Sequence, residues 1–151
     1  MLKILTNPDP ILRRQSRPVV DVSAAEIQEL IPQMLETMLK KDGVGLAAPQ
    51  IGKNIRLIVV HLKDETLTLV NPKIIKRSLI KEWGEEGCLS VPGKYGEVRR
   101  CKKITVKYFD PQGRLRQLTA EGLFARVIQH ENDHLDGILF IDKARSVMDV
   151  E

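Results

Sequence analysis

The sequence has little of what marks a secreted, membrane-spanning or single-strand-binding protein. Only two cysteines, Cys88 and Cys101, occur in 151 residues, too few for a disulfide-stapled scaffold, so at least one thiol is free for other chemistry. The uncharged apolar runs, such as residues 57–60, are far too short to cross a bilayer. Aromatics make up 4%, and the basic residues behind the net charge of +4 lack the aromatic interleaving of a single-strand-binding platform. A soluble protein is predicted.

The chain also lacks an apolar signal core, an Arg-rich transit segment, internal repeats and a long Gly-, Ser- or Pro-rich linker. Its length suits one domain with a substantial hydrophobic core. We therefore expect a single domain over residues 1–151, located in the cytoplasm and without a membrane partner.

The first predicted element is an amphipathic helix. Ser23 and Glu26 have the spacing of a capping box. Val22 and Ile27 are placed as a hydrophobic staple around it. Pro32 is expected to kink the helix or to shift its start, because proline removes a backbone hydrogen bond. The apolar residues at helical spacing are Ile27, Leu30, Ile31, Met34, Leu35 and Met38.

The middle of the chain is predicted to be a loop followed by short antiparallel strands. Residues 43–52 combine glycines with small apolar residues, which indicates a loop that another backbone can approach closely. Apolar and β-branched runs separated by turn residues predict strands at 57–60, 67–70, 74–75 and 104–109. Residues 110–113, Asp-Pro-Gln-Gly, predict a reverse turn.

A second helix is predicted from Thr119, a candidate N-cap, to a stop at Gly137. Its core-facing stripe is predicted to hold residues at spacings of three and four: Leu123, Val127, His130 and His134. The predicted fold class is α+β, with short antiparallel strands packed around this central, metal-binding helix and a separate N-terminal helix.

The run His130-Glu131-Asn132-Asp133-His134 carries the predicted chemistry. Histidines four residues apart on a helix can present two imidazole nitrogens to one metal ion, about 2 Å from each. Glu131 then lies beside the ion as a general base. The alternative is a pair of ordinary core histidines, which the glutamate in the second position of this spacing disfavours.

A catalytic site of this type needs a third protein ligand and one open position. Phe140 stands where an extended His-Glu-x-x-His motif would place a third histidine, and Glu151 is the only glutamate that follows His134. The third ligand is therefore sought upstream, where Cys88 lies between Gly87 and Pro92 and offers a thiolate. Cys101 is interpreted as an ordinary strand residue.

Three segments together resemble the motifs of the peptide deformylase family: residues 43–50 (GVGLAAPQ), 86–90 (EGCLS) and 129–135 (QHENDHL). A looser likeness runs from Ile4 to Asp142. The resemblance implies a metal-dependent hydrolase that removes the formyl group from the N-terminal formylmethionine of nascent polypeptides and releases formate. It also implies Fe(II) as the cofactor, with Zn, Ni or Co able to substitute.

The resemblance implies roles for further residues. Gln50 and the Leu89 backbone N–H would stabilise the oxyanion, while Glu131 acts as the base. Gly45 would pair with the extended substrate. The methionine side chain would contact Val44, Val127 and His130. An ion pair would brace the Cys88 segment. The supporting residues are Glu86 and Arg100, with Ser90 and Asp133 as further candidates.

The same resemblance implies a monomer that meets formylmethionyl N-termini in transient proximity to the ribosome. The segment after Asp142 is short compared with the long C-terminal helix of many family members, and we expect activity without that helix. Two alternatives stay open at this stage. One is a general metallopeptidase of the His-Glu-x-x-His type, and the other is a basic RNA- or ribosome-binding module with a structural metal, which a site with only three protein ligands disfavours.

Overall fold

In the computed structural model, which describes residues 1–150, two α-helices and eight strands follow one another along the chain. The helices are α1 (Ala25–Lys40) and α2 (Gly122–Leu135). The strands are β1 (Gly45–Ala47), β2 (Leu57–Leu62), β3 (Glu65–Arg77), β4 (Lys81–Cys88), β5 (Val91–Cys101), β6 (Lys103–Phe109), β7 (Leu115–Glu121) and β8 (Val147–Asp149). Short 3-10 helices lie at Pro10–Arg13, Ala48–Ile51 and Phe140–Asp142. The predicted α+β class is confirmed.

The strands form two antiparallel sheets. The five-stranded sheet has the order β1-β2-β3-β6-β7, and the three-stranded sheet has the order β4-β5-β8. Helix α2 lies between them and contacts strands of both sheets. The two imidazoles and Glu131 therefore lie at the centre of the molecule. No helix within residues 1–150 is both long and apolar enough to span a membrane.

The start of α1 differs from the prediction. The N-cap is Ala24 and no side chain caps the helix. Ser23 instead donates its hydroxyl to Asp21 Oδ1 at 2.6 Å, so the predicted capping box with Glu26 is wrong. A local serine-aspartate bond competes with the cap, as such short polar side chains often do. The helix continues through Pro32.

The segment 43–52 is not the predicted loop, because β1 pairs with β2 and a 3-10 helix follows at once. Residues 45–47 pair with residues 58–60 of β2, and within β1 Leu46 and Ala47 are buried while Gly45 is partly exposed. Strand β1 is the edge of its sheet, so one side of its backbone is open to another chain.

Helix α2 begins later than predicted. Its N-cap is Glu121, and Thr119 lies in β7, where its hydroxyl is 3.0 Å from that of Thr105 on β6. Leu123 is also not part of the buried stripe, since 63% of its surface is exposed. The predicted turn at 110–113 is confirmed by the bond from Gly113 N to Asp110 O (2.9 Å), and Cys101 is the predicted strand residue.

Gly137 ends α2 in the left-handed region, with φ +74°, and a Cβ built there would lie 2.5 Å from the carbonyl oxygen of Arg13. We expect Gly137→Ala to lower the free energy of unfolding by about 2–4 kcal/mol, because backbone strain and a backbone clash add. Gly113→Ala is the matched control, since Gly113 also has positive φ but a Cβ built there would lie 4.0 Å from the nearest atom, in Val22. Urea unfolding followed by circular dichroism should give a clearly smaller loss for the control, and equal losses would contradict the clash.

Candidate metal centre

Three side chains from two elements converge at the centre of the molecule. Cys88 ends β4 at the hairpin turn into β5, and the two histidines lie one turn apart on α2. One ligand atom each from Cys88, His130 and His134 all lie within 4.8 Å of one another. The Cys88 Sγ is 3.3 Å from His134 Nε2. The structure thus brings together the three predicted ligands.

The surroundings of this group suit a cation. His130 Nδ1 is 2.8 Å from a Glu86 carboxylate oxygen, which can only accept, so His130 donates there and its Nε2 faces the centre. A carboxylate behind a ligand histidine is the usual arrangement in protein metal sites, because it fixes the tautomer and the ring orientation. The Phe140 ring stacks against the His130 ring, with 6.2 Å between centroids. The residues present therefore fit a divalent ion.

The two imidazoles differ electrostatically. Burial lowers the pKa of His134 well below its ordinary value. Burial acts in the same direction on His130, but Glu131, Cys88 and Glu86 outweigh it and raise its pKa to about 10. The three electron-rich neighbours thus favour a positive charge on the His130 imidazole. A bound cation would compete with the proton for the ring nitrogen.

Glu131 lies beside the ligand atoms, not among them. It is 4% exposed, and its Oε1 has no hydrogen-bond partner within residues 1–150. Its Oε2 is 3.9 Å from His130 Nε2. Burial is the main cause that raises the pKa of its carboxyl to about 7, although the charge of His130 opposes it. A buried carboxyl in this position can exchange a proton with a reacting group.

Gly45 explains how the carboxylate fits against the edge strand. A Cβ at this position would lie 2.5 Å from Glu131 Oε2. The missing side chain therefore makes room for Glu131, in addition to leaving the β1 backbone open to a visitor. Sequence reasoning had identified only the second reason.

Gln50 connects the first two motifs. Its Oε1 accepts from Ala47 N at 2.9 Å, and its Nε2 donates to Ser90 Oγ at 3.0 Å. The same nitrogen is 3.6 Å from Cys88 Sγ, so this amide lies against the ligand sulfur. Leu89 lines the same cavity directly after Cys88.

A cavity of about 460 Å³ opens onto the centre. Its lining includes every residue predicted for substrate binding, Val44, Gly45, Val127 and His130, together with Gln50, Leu89 and Glu131. Val44 is half-exposed at its mouth, whereas Val127 is buried. Leu123 also lines the cavity, which explains why an apolar residue on α2 is left uncovered.

Glu86 accepts hydrogen bonds from three cationic or polar neighbours. Arg100 donates from Nε and Nη2 at 2.9 Å each, which confirms the predicted ion pair. Arg126, which the sequence reasoning missed, donates from Nη1 at 2.6 Å. Burial raises the pKa of Glu86, but hydrogen bonds from Arg100 and His130 outweigh it and hold the pKa well below its usual range. The sequence indicated Arg126 only by its spacing: it lies four residues before His130 and therefore on the same face of α2.

Arg100 also pairs with Asp133 on α2, so it joins β5, β4 and the helix at 3% side-chain exposure. We expect Arg100→Met to lower the free energy of unfolding by about 3–5 kcal/mol, because the buried Glu86 carboxylate loses two charge-assisted hydrogen bonds and Asp133 loses its buried partner. The control is Lys103→Met, which breaks an exposed pair with Glu121 and should cost less than about 1 kcal/mol. Similar denaturation midpoints for both variants would contradict the role of Arg100.

Comparison with known proteins agrees with this geometry. The family model described as "Polypeptide deformylase" matches residues 1–149. The chain is 49% identical over 146 residues to the peptide deformylase of Natranaerobius thermophilus, covering 96% of this chain and 93% of the relative. It is 43% identical over 143 residues to that of Caldanaerobacter subterraneus, covering 95% and 89%.

Solved structures give the same result. The peptide deformylase of Thermotoga maritima superposes with a TM-score of 0.94 at 40% identity, covering 97% of this chain and 99% of that one. The peptide deformylase of Synechococcus elongatus, solved in complex with actinonin, gives 0.93 at 45% identity, covering 96% and 79%. Both likenesses extend over nearly the whole described chain.

Proposed function

Because the chain belongs to the polypeptide deformylase family, whose members are hydrolases, we propose that it removes the formyl group from the N-terminal formylmethionine of nascent polypeptides and releases formate. The observation that carries the proposal is the position of Glu131. A buried carboxylate with an unpartnered oxygen lies between three candidate metal ligands and the open edge of β1. Hydrolysis of an amide at the end of an extended chain needs these three components in one place.

Cys88, His130 and His134 would hold the metal. One thiolate and two imidazoles accept Fe(II), Zn(II), Ni(II) or Co(II), and the family resemblance favours Fe(II). Bound there, the ion would supply Lewis acidity, which polarises an amide carbonyl and makes water nucleophilic near neutral pH.

The substrate would bind as an added strand. An extended peptide can pair with the free edge of β1 at Gly45, where backbone hydrogen bonds give affinity without reading the sequence. The first side chain would then enter the cavity beside Val44, Val127 and His130. An apolar cavity of this size suits the unbranched methionine side chain.

Glu131 would move the proton. It takes a proton from the attacking water and delivers it to the departing amine nitrogen, so that formate and a free N-terminus result. The Gln50 amide and the Leu89 backbone N–H would donate to the oxygen that gains charge. The loss of such a donor costs about 3 kcal/mol. The long 3.6 Å contact from Gln50 Nε2 to Cys88 Sγ is weak enough to be exchanged for this bond.

The proposal extends to location and partners. By the same resemblance, the enzyme would act in the cytoplasm as a monomer, on formylmethionyl N-termini close to the ribosome. The alternative of a general metallopeptidase would use the same base and metal ligands but would cleave the peptide bonds after the first residue.

The test uses protein that is purified anaerobically and whose metal is quantified. Formate release is measured with formyl-Met-Ala-Ser, and acetyl-Met-Ala-Ser and Met-Ala-Ser serve as matched controls. We expect formate from the first peptide and intact peptide bonds in all three. Cleavage of Met-Ala-Ser, with the formyl group of the first peptide retained, would support the metallopeptidase instead.

A further inference from the structure

Arg126 forms one wall of the cavity and is held there by three acceptors. Its Nη1 donates to Glu86 Oε2 at 2.6 Å and to the Val98 carbonyl at 2.9 Å, and its Nη2 donates to the Glu82 carbonyl at 2.8 Å. The side chain is 12% exposed. A guanidinium tied to three acceptors loses little further freedom on ligand binding, so it acts as a fixed surface.

Gly84 on β4 is the support on which this guanidinium lies. A Cβ at Gly84 would be 2.7 Å from Arg126 Cζ, 2.8 Å from Nε and 2.9 Å from Nη2. Because the guanidinium carbon Cζ is nearer than either nitrogen, the Cβ position at Gly84 lies over the flat face of the guanidinium and not at its edge. Any side chain at residue 84 would therefore push the guanidinium off its place.

The charge of Arg126 does not make the cavity wall strongly cationic. Glu86 balances it directly, and the two carbonyl bonds use further N–H groups. The flat face of a guanidinium is weakly hydrated and packs against apolar and polarisable groups. A wall of this kind accepts a long unbranched side chain and limits its bulk.

We propose that Gly84 and Arg126 together determine which side chains the enzyme accepts at the formylated residue. This inference rests on the proposed function. The guanidinium sets the size of the cavity, and the absence of a side chain at Gly84 sets the position of the guanidinium. The two residues are thus specificity-determining as a pair.

The test compares kcat/KM for formyl-Met-Ala-Ser, formyl-Phe-Ala-Ser and formyl-Ala-Ala-Ser. Arg126→Ala widens the cavity, so the Phe:Met ratio should rise at least about tenfold, mainly through KM. Gly84→Ala displaces the guanidinium into the cavity, so the Ala:Met ratio should rise at least about tenfold. In the double variant Arg126→Ala/Gly84→Ala the added methyl group no longer meets a guanidinium. The effect of Gly84→Ala on the Ala:Met ratio should therefore disappear.

These ratios do not depend on the fraction of folded or metal-loaded enzyme, so a purely structural role of Arg126 would leave them unchanged. Arg126→Leu replaces Arg126→Ala if the latter does not fold, and the exposed Arg99 on β5 supplies the control variant Arg99→Ala. Ratios within twofold of the unmodified enzyme in the single variants, or additive effects in the double variant, would overturn the inference. Failure of the unmodified enzyme to release formate from formyl-Met-Ala-Ser would overturn the proposed function itself.

Discussion

Glu131→Ala is expected to release formate about 10²–10⁴ times more slowly than the unmodified enzyme while it keeps its metal. The carboxylate lies against Gly45 and beside the ligand atoms, but it does not belong to the three-residue ligand group. Its removal takes away the proton acceptor and leaves Cys88, His130 and His134 in place.

Replacement of Glu131 should not destabilise the protein in the way that loss of a core residue does. Burial of a carboxylate with an unpartnered oxygen opposes folding, and active sites commonly retain such groups at the expense of stability. We therefore expect Glu131→Gln, which keeps the shape, to unfold at an equal or higher temperature than the unmodified protein.

Steady-state formate release, metal content and thermal unfolding would be measured on the same preparations. Glu29→Ala, at an exposed position on α1, is the matched control and should change none of the three. Turnover within tenfold of normal in Glu131→Ala with full metal would remove the general-base role.

Cys88→Ala is the second substitution with a large expected effect, because it should abolish stoichiometric metal binding and with it the activity. Loss of an outer partner of a metal ligand already costs about 10–100-fold in affinity or activity, and loss of a direct ligand should cost more. The two histidines that remain cannot complete the three protein ligands of a catalytic site.

Cys101→Ala provides a close control, since the other cysteine is a buried residue at the end of β5. It should retain both metal and activity. With Co(II) loaded in place of the native ion, a thiolate-to-metal absorption band should be present in Cys101→Ala and missing in Cys88→Ala. Full metal content in Cys88→Ala would show that the sulfur is not a ligand.

The site was more predictable from the sequence than the fold around it. Two histidines and a glutamate on one helix follow from spacing alone, and Phe140 directed the search for the third ligand to Cys88. Arg126 was missed because its role depends on β4, and no periodicity in the sequence shows where Gly84 will lie.

The strands were harder to predict where their pattern is not apolar. Strand β4 reads Lys-Glu-Trp-Gly-Glu-Glu-Gly-Cys and forms because β5 pairs with it and buries Glu86 between arginines. Strand β8 exists only through its pairing with residues 94–96 of β5. The start of α2 was misjudged because Thr119 suits an N-cap, whereas pairing with β6 keeps residues 115–121 extended.

The contact between Gly45 and Glu131 also bears on how a bound peptide would be aligned. Side chains alternate along a strand, so a peptide that paired with β1 one residue out of register would turn its first side chain away from the cavity. The amide bonds of the peptide would then no longer lie opposite the Glu131 carboxylate, because β1 passes so close to Glu131 that only a glycine fits at residue 45. The fixed register would thus select the first residue of the substrate peptide. An edge strand beside a fixed proton acceptor can do this without contacting the rest of the polypeptide.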